Sequence, residues 1–282
     1  MGKRQKLGKI TEMKHISKCY SGIVKKEWNR LVQDPFHTIE LNTTLRYLKK
    51  YFPKKGLILD AGGGPGRYTI ELAKQGYDII LLDITPENLK FAEKQIRKAK
   101  VQKHVKDIIC GSITDMPMFP DNMFDAVICL GGPLSHVEGE KNRTKAVSEL
   151  IRVAKKGAPV FVSIMGKYGV LPIFPELPKE VRNTKHFRRF VETGDDYLWH
   201  GKYYSHYFEP EEFRNKFLRP NFKVLELVGL ESSSSYSAKG TVNKLAKDKK
   251  AWKNWLDAHY KLCTNPNAVA ESAHILMVGR KK

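Results

Sequence analysis

Leu57-Ile58-Leu59-Asp60-Ala61-Gly62-Gly63-Gly64-Pro65-Gly66-Arg67-Tyr68 is the stretch that decides the fold. A short apolar run ending in Asp60 reads as a buried strand, and from Tyr68 to Lys74 the apolar positions take up helical spacing. Between them, glycines at 62, 64 and 66 allow a tight turn and let a ligand approach the backbone beside the free amides of a helix N-terminus. A dinucleotide-binding loop needs the spacing GxGxxG. Counted from Gly62 its third glycine falls on Arg67, and counted from Gly64 it falls on Thr69. The spacing therefore argues against a nicotinamide or flavin dinucleotide.

Outward from the loop, short apolar runs alternate with amphipathic stretches. Asp78–Asp83, Val105–Cys110, Phe124–Leu130 and Pro159–Met165 read as strands, with Pro86–Lys98 and Lys141–Val153 as helices among them. This alternation predicts a doubly wound α/β fold whose mostly parallel sheet is covered on both faces. Glu209–Leu218 reads as a further helix, Phe222–Leu230 as a sixth strand and Ala273–Val278 as a seventh. Ahead of the first strand, Ser21–Gln33 reads as a short helix. Asp34-Pro35 opens a second, with an acidic N-cap, proline at the first helical position, and Ile39, Leu41, Leu45, Leu48 and Phe52 at helical spacing. The expected organisation is a basic N-terminal helical segment over 1–55 and one domain over 56–282. That domain carries two insertions: 166–208, rich in aromatic residues, and 231–272, read as one helix with Val242, Leu245, Trp252, Trp255, Leu256 and His259 on one side. Both insertions leave the carboxyl ends of strands, where the ligand crevice of such a sheet lies. Together with the N-terminal helices they are expected to cap the active face.

Asp83 ends the second strand, 23 residues after Asp60. In a sheet wound this way the two strand ends are neighbours, and the Asp83 carboxylate can accept hydrogen bonds from both hydroxyls of a ribose. Asp60-x-Gly62-x-Gly64-x-Gly66 with Asp83 resembles motifs one and two of the class I S-adenosylmethionine-dependent methyltransferases. The resemblance runs over residues 37–230, through Gly111–Pro117, Pro120–Asp125 and Arg152–Gly157. It implies a seven-stranded sheet of the class I methyltransferase type and S-adenosylmethionine as cofactor. It also implies that Gly62, Gly63, Gly64 and Gly66 meet the methionine portion, that Asp60 helps to hold its amino group, and that Asp83 binds the ribose. Ile84, Ser112, Ile113 and Leu130 complete the implied cofactor set. Where the family usually carries an Asp after the glycine of the third strand, this chain has Ser112, so the Ile113 backbone amide is the expected contact with the adenine ring.

Methyl transfer from a sulfonium is an in-line displacement, which needs a base only when the acceptor must shed a proton. The fourth strand leads into Leu130-Gly131-Gly132-Pro133-Leu134-Ser135-His136, beside the expected methyl position. His136 is therefore the candidate base. His200, Tyr203, Tyr204, His206 and Tyr207 form a second polar and aromatic cluster, from which Tyr204 and His206 are taken as further catalytic candidates.

At 41% hydrophobic and 28% charged residues, the 282-residue chain can bury a substantial core, which excludes wholesale disorder. Its apolar runs are too short to span a membrane, the start has no secretory pattern, and a cytoplasmic protein is expected. Four cysteines without a CxxC pair predict neither a disulfide framework nor a metal site. The net charge is +20, of which residues 1–55 carry +10 and residues 239–261 carry +5. Such a basic rim suits RNA, whereas a lidded aromatic pocket suits a small molecule, an anionic one included. The small-molecule acceptor is the first reading, an RNA methyltransferase the second, and a non-catalytic binder of the cofactor the third.

Overall fold

A computed structural model describes residues 20–197, 204–234 and 239–282. The strands are β1 (Leu57–Ala61), β2 (Asp78–Asp83), β3 (Val105–Cys110), β4 (Ala126–Cys129), β5 (Pro159–Met165), β6 (Asp195–Asp196), β7 (Ser205–His206), β8 (Phe222–Gly229) and β9 (His274–Lys281). Seven of them form one sheet in the order β3-β2-β1-β4-β5-β9-β8. The first five are parallel; β9 runs antiparallel to both of its neighbours, β5 and β8. β6 and β7 make a separate two-stranded ribbon. β1, β2, β4 and β5 are buried almost throughout, as continuous apolar strands sandwiched by helices must be. β3, at the edge, alternates toward exposure.

The chain leaves β1 toward β2 and β3 on one side and returns to β4 and β5 on the other. The carboxyl ends of β1 and β4 therefore flank the point where the winding reverses, the standard crevice of such sheets. The helix Arg67–Lys74 starts from Gly66, which holds φ +83 and so needs no side chain, and the helix Pro86–Lys98 follows β2 with Pro86 at its first turn. Asp34 caps the helix Pro35–Tyr51 by accepting the His37 N–H at 3.0 Å, as its sequence predicts.

Several expected bounds shift for identifiable reasons. β4 starts at Ala126 instead of Phe124, because the Asp125 side chain itself accepts the Leu57 N–H at 2.8 Å and pairs with Lys155. β9 runs on to Lys281, past Gly279, because that glycine is where the Phe222 ring packs across the strand; a Cβ there would lie 2.2 Å from the ring. The single helix expected within 231–272 is three helices, Lys239–Leu245, Lys249–Leu262 and Pro266–Ala270. The break falls at Asp248, whose carboxylate caps the second helix by accepting the Lys250 and Ala251 N–H groups.

The two insertions take different places. The described residues of 166–208 form short helices around their own apolar cluster of Val170, Phe174, Phe190 and Tyr207, and the β6–β7 ribbon. Residues of 231–272 pack behind the helix Pro35–Tyr51. Val242, Trp252 and Leu256 meet Phe36 and Ile39 there, and Thr43 and His259 share a hydrogen bond of 2.8 Å. No helix among the described residues is long and apolar enough to cross a membrane.

Candidate active site

A cavity of about 820 Å³ opens at the carboxyl ends of β1, β2 and β4. Its floor is the glycine loop. Gly62, Gly64 and Gly66 all hold positive φ, and the Gly62 and Gly63 N–H groups are tied to the Leu82 carbonyl at the end of β2. Asp83 stands beside the loop and lines the cavity. One of its carboxylate oxygens accepts the Gly64 N–H at 2.9 Å; the other accepts the Thr85 N–H at 2.9 Å and the Asn88 amide at 3.3 Å. Burial raises its pKa, and these donors oppose the shift. Ile84, Ser112, Ile113 and Leu130 line the same half of the cavity. The Ser112 hydroxyl lies 2.9 Å from that of Thr114.

Asp60 and Gly66 are not on the cavity wall. Asp60 is fully buried beneath the loop, so close that a Cβ on Gly63 would meet its carboxyl carbon at 2.5 Å. One oxygen accepts the Thr69 hydroxyl at 2.6 Å and the other has no hydrogen-bond partner among the described residues. Burial pushes its pKa up to about 6, with the Thr69 hydrogen bond opposing. Here Asp60 supports the loop from below.

The other half of the cavity is built by segments far apart in sequence. His136, in the turn after β4, lines it with Tyr204 from the first insertion and Tyr20, Glu27 and Arg30 from the N-terminal segment. His136 is buried. Its Nδ1 faces the Tyr204 carbonyl oxygen at 3.2 Å, which requires a proton on Nδ1 and leaves Nε2 to accept from the Tyr20 hydroxyl at 2.8 Å. Burial lowers its pKa, which keeps the ring neutral at pH 7. Tyr204 turns its hydroxyl away into a buried network, donating to Asp195 at 2.6 Å and accepting from Arg143 at 2.6 Å. Burial and the Asp195 carboxylate hold that phenol protonated.

His206 is not on the wall, and its candidacy as a catalytic group does not survive the geometry. Both ring nitrogens are engaged, Nδ1 with Asp195 at 2.8 Å and Nε2 with Glu212 at 2.9 Å. Against the burial penalty these carboxylates raise its pKa, as befits a structural cation. Of the aromatic insertion, only Tyr197 and Tyr204 among the described residues reach the wall, and none of the described residues of 231–272 does. The latter segment was expected to cap the cavity; it braces the N-terminal helices instead. Trp199, His200 and Tyr203 lie outside the described residues.

Glu40, Glu231 and His274 bring three metal-ligating groups together in the interior. Arg30 already forks onto Glu40 at 2.5 and 3.2 Å, and His274 meets Glu231 at 2.6 Å, so this is a self-neutralised charge network joining the N-terminal helices to β9.

Residues 59–162 match the family described as a methyltransferase domain. Over these residues the chain carries a class I S-adenosylmethionine-dependent methyltransferase domain. A putative methyltransferase of Bacillus subtilis is 21% identical over 184 residues, 60% of this chain and 71% of that protein. A glycine/sarcosine N-methyltransferase of Parasynechococcus marenigrum is 27% identical over 150 residues, 52% of this chain and 50% of that protein, so the match spans only half of the latter relative. Among solved structures, a methyltransferase of Methanosarcina mazei superimposes with a TM-score of 0.59 at 19% identity, over 83% of this chain and 96% of that one, which supports the fold. S-adenosylmethionine is the cofactor of this methyltransferase family, and the cavity fits it. The loop presents bare backbone, since a Cβ at Gly64 would have no neighbour nearer than 3.8 Å. Asp83 supplies a carboxylate beside the loop, and Ile84, Ile113 and Leu130 offer an apolar slot. Arg67, also on the wall, keeps a buried Nε without a hydrogen-bond partner among the described residues.

Asp83→Ala is expected to weaken S-adenosylhomocysteine binding by about 1–3 kcal/mol, because a charged acceptor is lost to ligand and loop together. Asp83→Asn should recover part of it. Calorimetric titration checks this, and unchanged affinity would place the ribose elsewhere.

Proposed function

We propose that this protein transfers the methyl group of S-adenosylmethionine to a small molecule held in the second half of the cavity. The observation that carries the reading is continuity: one cavity runs from Gly62–Gly64 and Asp83 past Leu130 to His136, Tyr204 and Tyr20. In this reading Gly62, Gly63 and Gly64 approach the methionine portion, Asp83 takes the ribose hydroxyls, and Ile84, Ser112, Ile113 and Leu130 surround the base. When bound, the cofactor supplies an electrophilic methyl on a sulfonium leaving group. The protein aligns the acceptor, shields it beside Tyr197 and Tyr204, and offers a neutral imidazole, reached through the Tyr20 hydroxyl, for a departing proton. The volume lies in the range of small-molecule sites. The Parasynechococcus relative, by its name, methylates small amino acids. Although the chain has 37 lysines, none among the described residues lines the cavity, which favours a small acceptor over a phosphate backbone.

Two measurements test this. Calorimetry should show binding of S-adenosylmethionine and S-adenosylhomocysteine and none of NADH. Incubation with a metabolite library should release S-adenosylhomocysteine with some of its members. On such an acceptor His136→Gln should lower turnover by about two to four orders of magnitude while leaving cofactor affinity intact. Equal losses of both would make His136 a packing residue.

A further inference from the structure

The cavity as a whole has a charge pattern opposite to that of the protein. The chain carries +20, yet the cavity is lined by four carboxylates, Glu27, Asp83, Asp115 and Glu138, against two guanidiniums, Arg30 and Arg67. Three of the four carboxylates have other employment. Glu27 pairs with Arg30 at 2.9 Å, Asp115 pairs with Lys145 at 3.1 Å, and Asp83 serves the loop.

Glu138 is different. It has no cationic partner among the described residues; its Oε1 accepts only the Tyr197 hydroxyl, at 3.2 Å, which aims the carboxylate without neutralising it. Tyr197 in turn packs against Tyr204, ring centres 5.0 Å apart, and both rings lie on the wall with Glu138. The Arg189 guanidinium already covers one face of Tyr197, 4.2 Å from the ring centre; a further cation is drawn to the half-buried Glu138 carboxylate by direct charge.

Resting on the methyltransferase reading above, we infer that the methyl acceptor is an amine, received as its ammonium form between Glu138 and the tyrosines of the wall. The ammonium gives one proton to the Tyr20 oxygen as the Tyr20 hydroxyl proton passes to His136 Nε2, which leaves a neutral amine and an imidazolium. The nitrogen lone pair then forms the new N–C bond while the C–S bond breaks, its electron pair remaining on sulfur. The products are a methylated ammonium and neutral sulfide, and the imidazolium returns its proton to solvent. Glu138 is thus a specificity-determining residue: it offsets the positive charge that a cationic acceptor would otherwise bring against a sulfonium.

The test uses the protein saturated with S-adenosylhomocysteine and three probes of one shape: benzylamine, benzyl alcohol and benzoate. The expected result is at least a tenfold preference for benzylamine over both others by calorimetric competition. Glu138→Gln should reduce that preference at least tenfold with S-adenosylhomocysteine affinity unchanged, and Glu138→Lys should turn it toward benzoate. A ratio of one between amine and alcohol, whether from equal binding or from none, overturns the inference, as does a preference that survives Glu138→Gln. Failure of S-adenosylhomocysteine itself to bind would instead overturn the methyltransferase reading, while turnover of a phenol or carboxylate would leave that reading intact and sink this one.

Discussion

Gly62→Ala should cost about 2–5 kcal/mol of folding stability and displace the floor of the cofactor cavity. Two independent penalties add. The residue holds φ +75, a conformation that costs an alanine roughly 1–2 kcal/mol. Its new Cβ would also lie 2.6 and 2.7 Å from the Pro133 ring, which is rigid, so the loop or the turn after β4 must move, an overpacking cost of about 1–3 kcal/mol. Gly64→Ala is the matched control. It too has positive φ, but its Cβ would meet nothing nearer than 3.8 Å, so only the backbone penalty applies. Urea denaturation of the two variants separates the terms; equal midpoints would mean that the Pro133 contact carries no weight. Because Gly62 and Pro133 are both on the cavity wall, S-adenosylhomocysteine affinity should fall in Gly62→Ala as well.

The second large effect is expected at Arg143. This residue is only 5% exposed, yet it carries a full charge on the helix Glu140–Val153. It donates to the Tyr204 hydroxyl and the Val137 carbonyl and lies over the Phe208 ring, tying the first insertion to the body of the sheet. Arg143→Ala removes a charge-assisted hydrogen bond and the packing of its stem, leaves the Tyr204 oxygen short of a donor, and takes a nearby positive charge from Asp195. The expected loss is about 2–4 kcal/mol. Amide exchange should quicken in Asp195–Asp196 and Ser205–His206, and methyl transfer should suffer more than cofactor affinity, since the network shapes only the acceptor half. Arg143→Lys keeps the charge without the planar fork and should recover only part. Equal protection of the β6–β7 ribbon in parent and Arg143→Ala would refute this account.

What was legible from residue order follows from how local each signal is. Asp78–Asp83, Pro86–Lys98, Val105–Cys110 and Pro159–Met165 fall where their apolar patterns place them, since a run of β-forming apolar residues or an amphipathic helix declares itself within its own length. The glycine loop and Asp83 are legible for the same reason, and their meeting follows from the winding of the sheet. His136 could be named because it follows a strand end. Tyr20, Glu27, Arg30 and Glu138 carried no such signal, because they reach the cavity only through tertiary packing of the N-terminal segment and the turn after β4. The alternation of His and Tyr near 204–207 looked catalytic, but a histidine between two carboxylates cannot be told from a free one without knowing where Asp195 and Glu212 fall. Basic charge misled in its own way, since it describes the exterior and says nothing of a cavity that holds no lysine among the described residues.

The position of β9 bears on how the molecule assembles. It is an interior strand, and β8, synthesised before it, reaches the sheet through β9. Until residues 274–281 pair with β5, β8 has no neighbour in the sheet, and the edge of β5 offers an unpaired row of donors and acceptors. Folding in chain order is therefore impossible on that side. Loop closure over more than a hundred residues, from β5 to β9, must precede docking of β8, a topology that slows folding and exposes a sticky edge meanwhile. A destabilised β9 would therefore show itself first as aggregation through β5, before any loss at the cavity on the far side of β4.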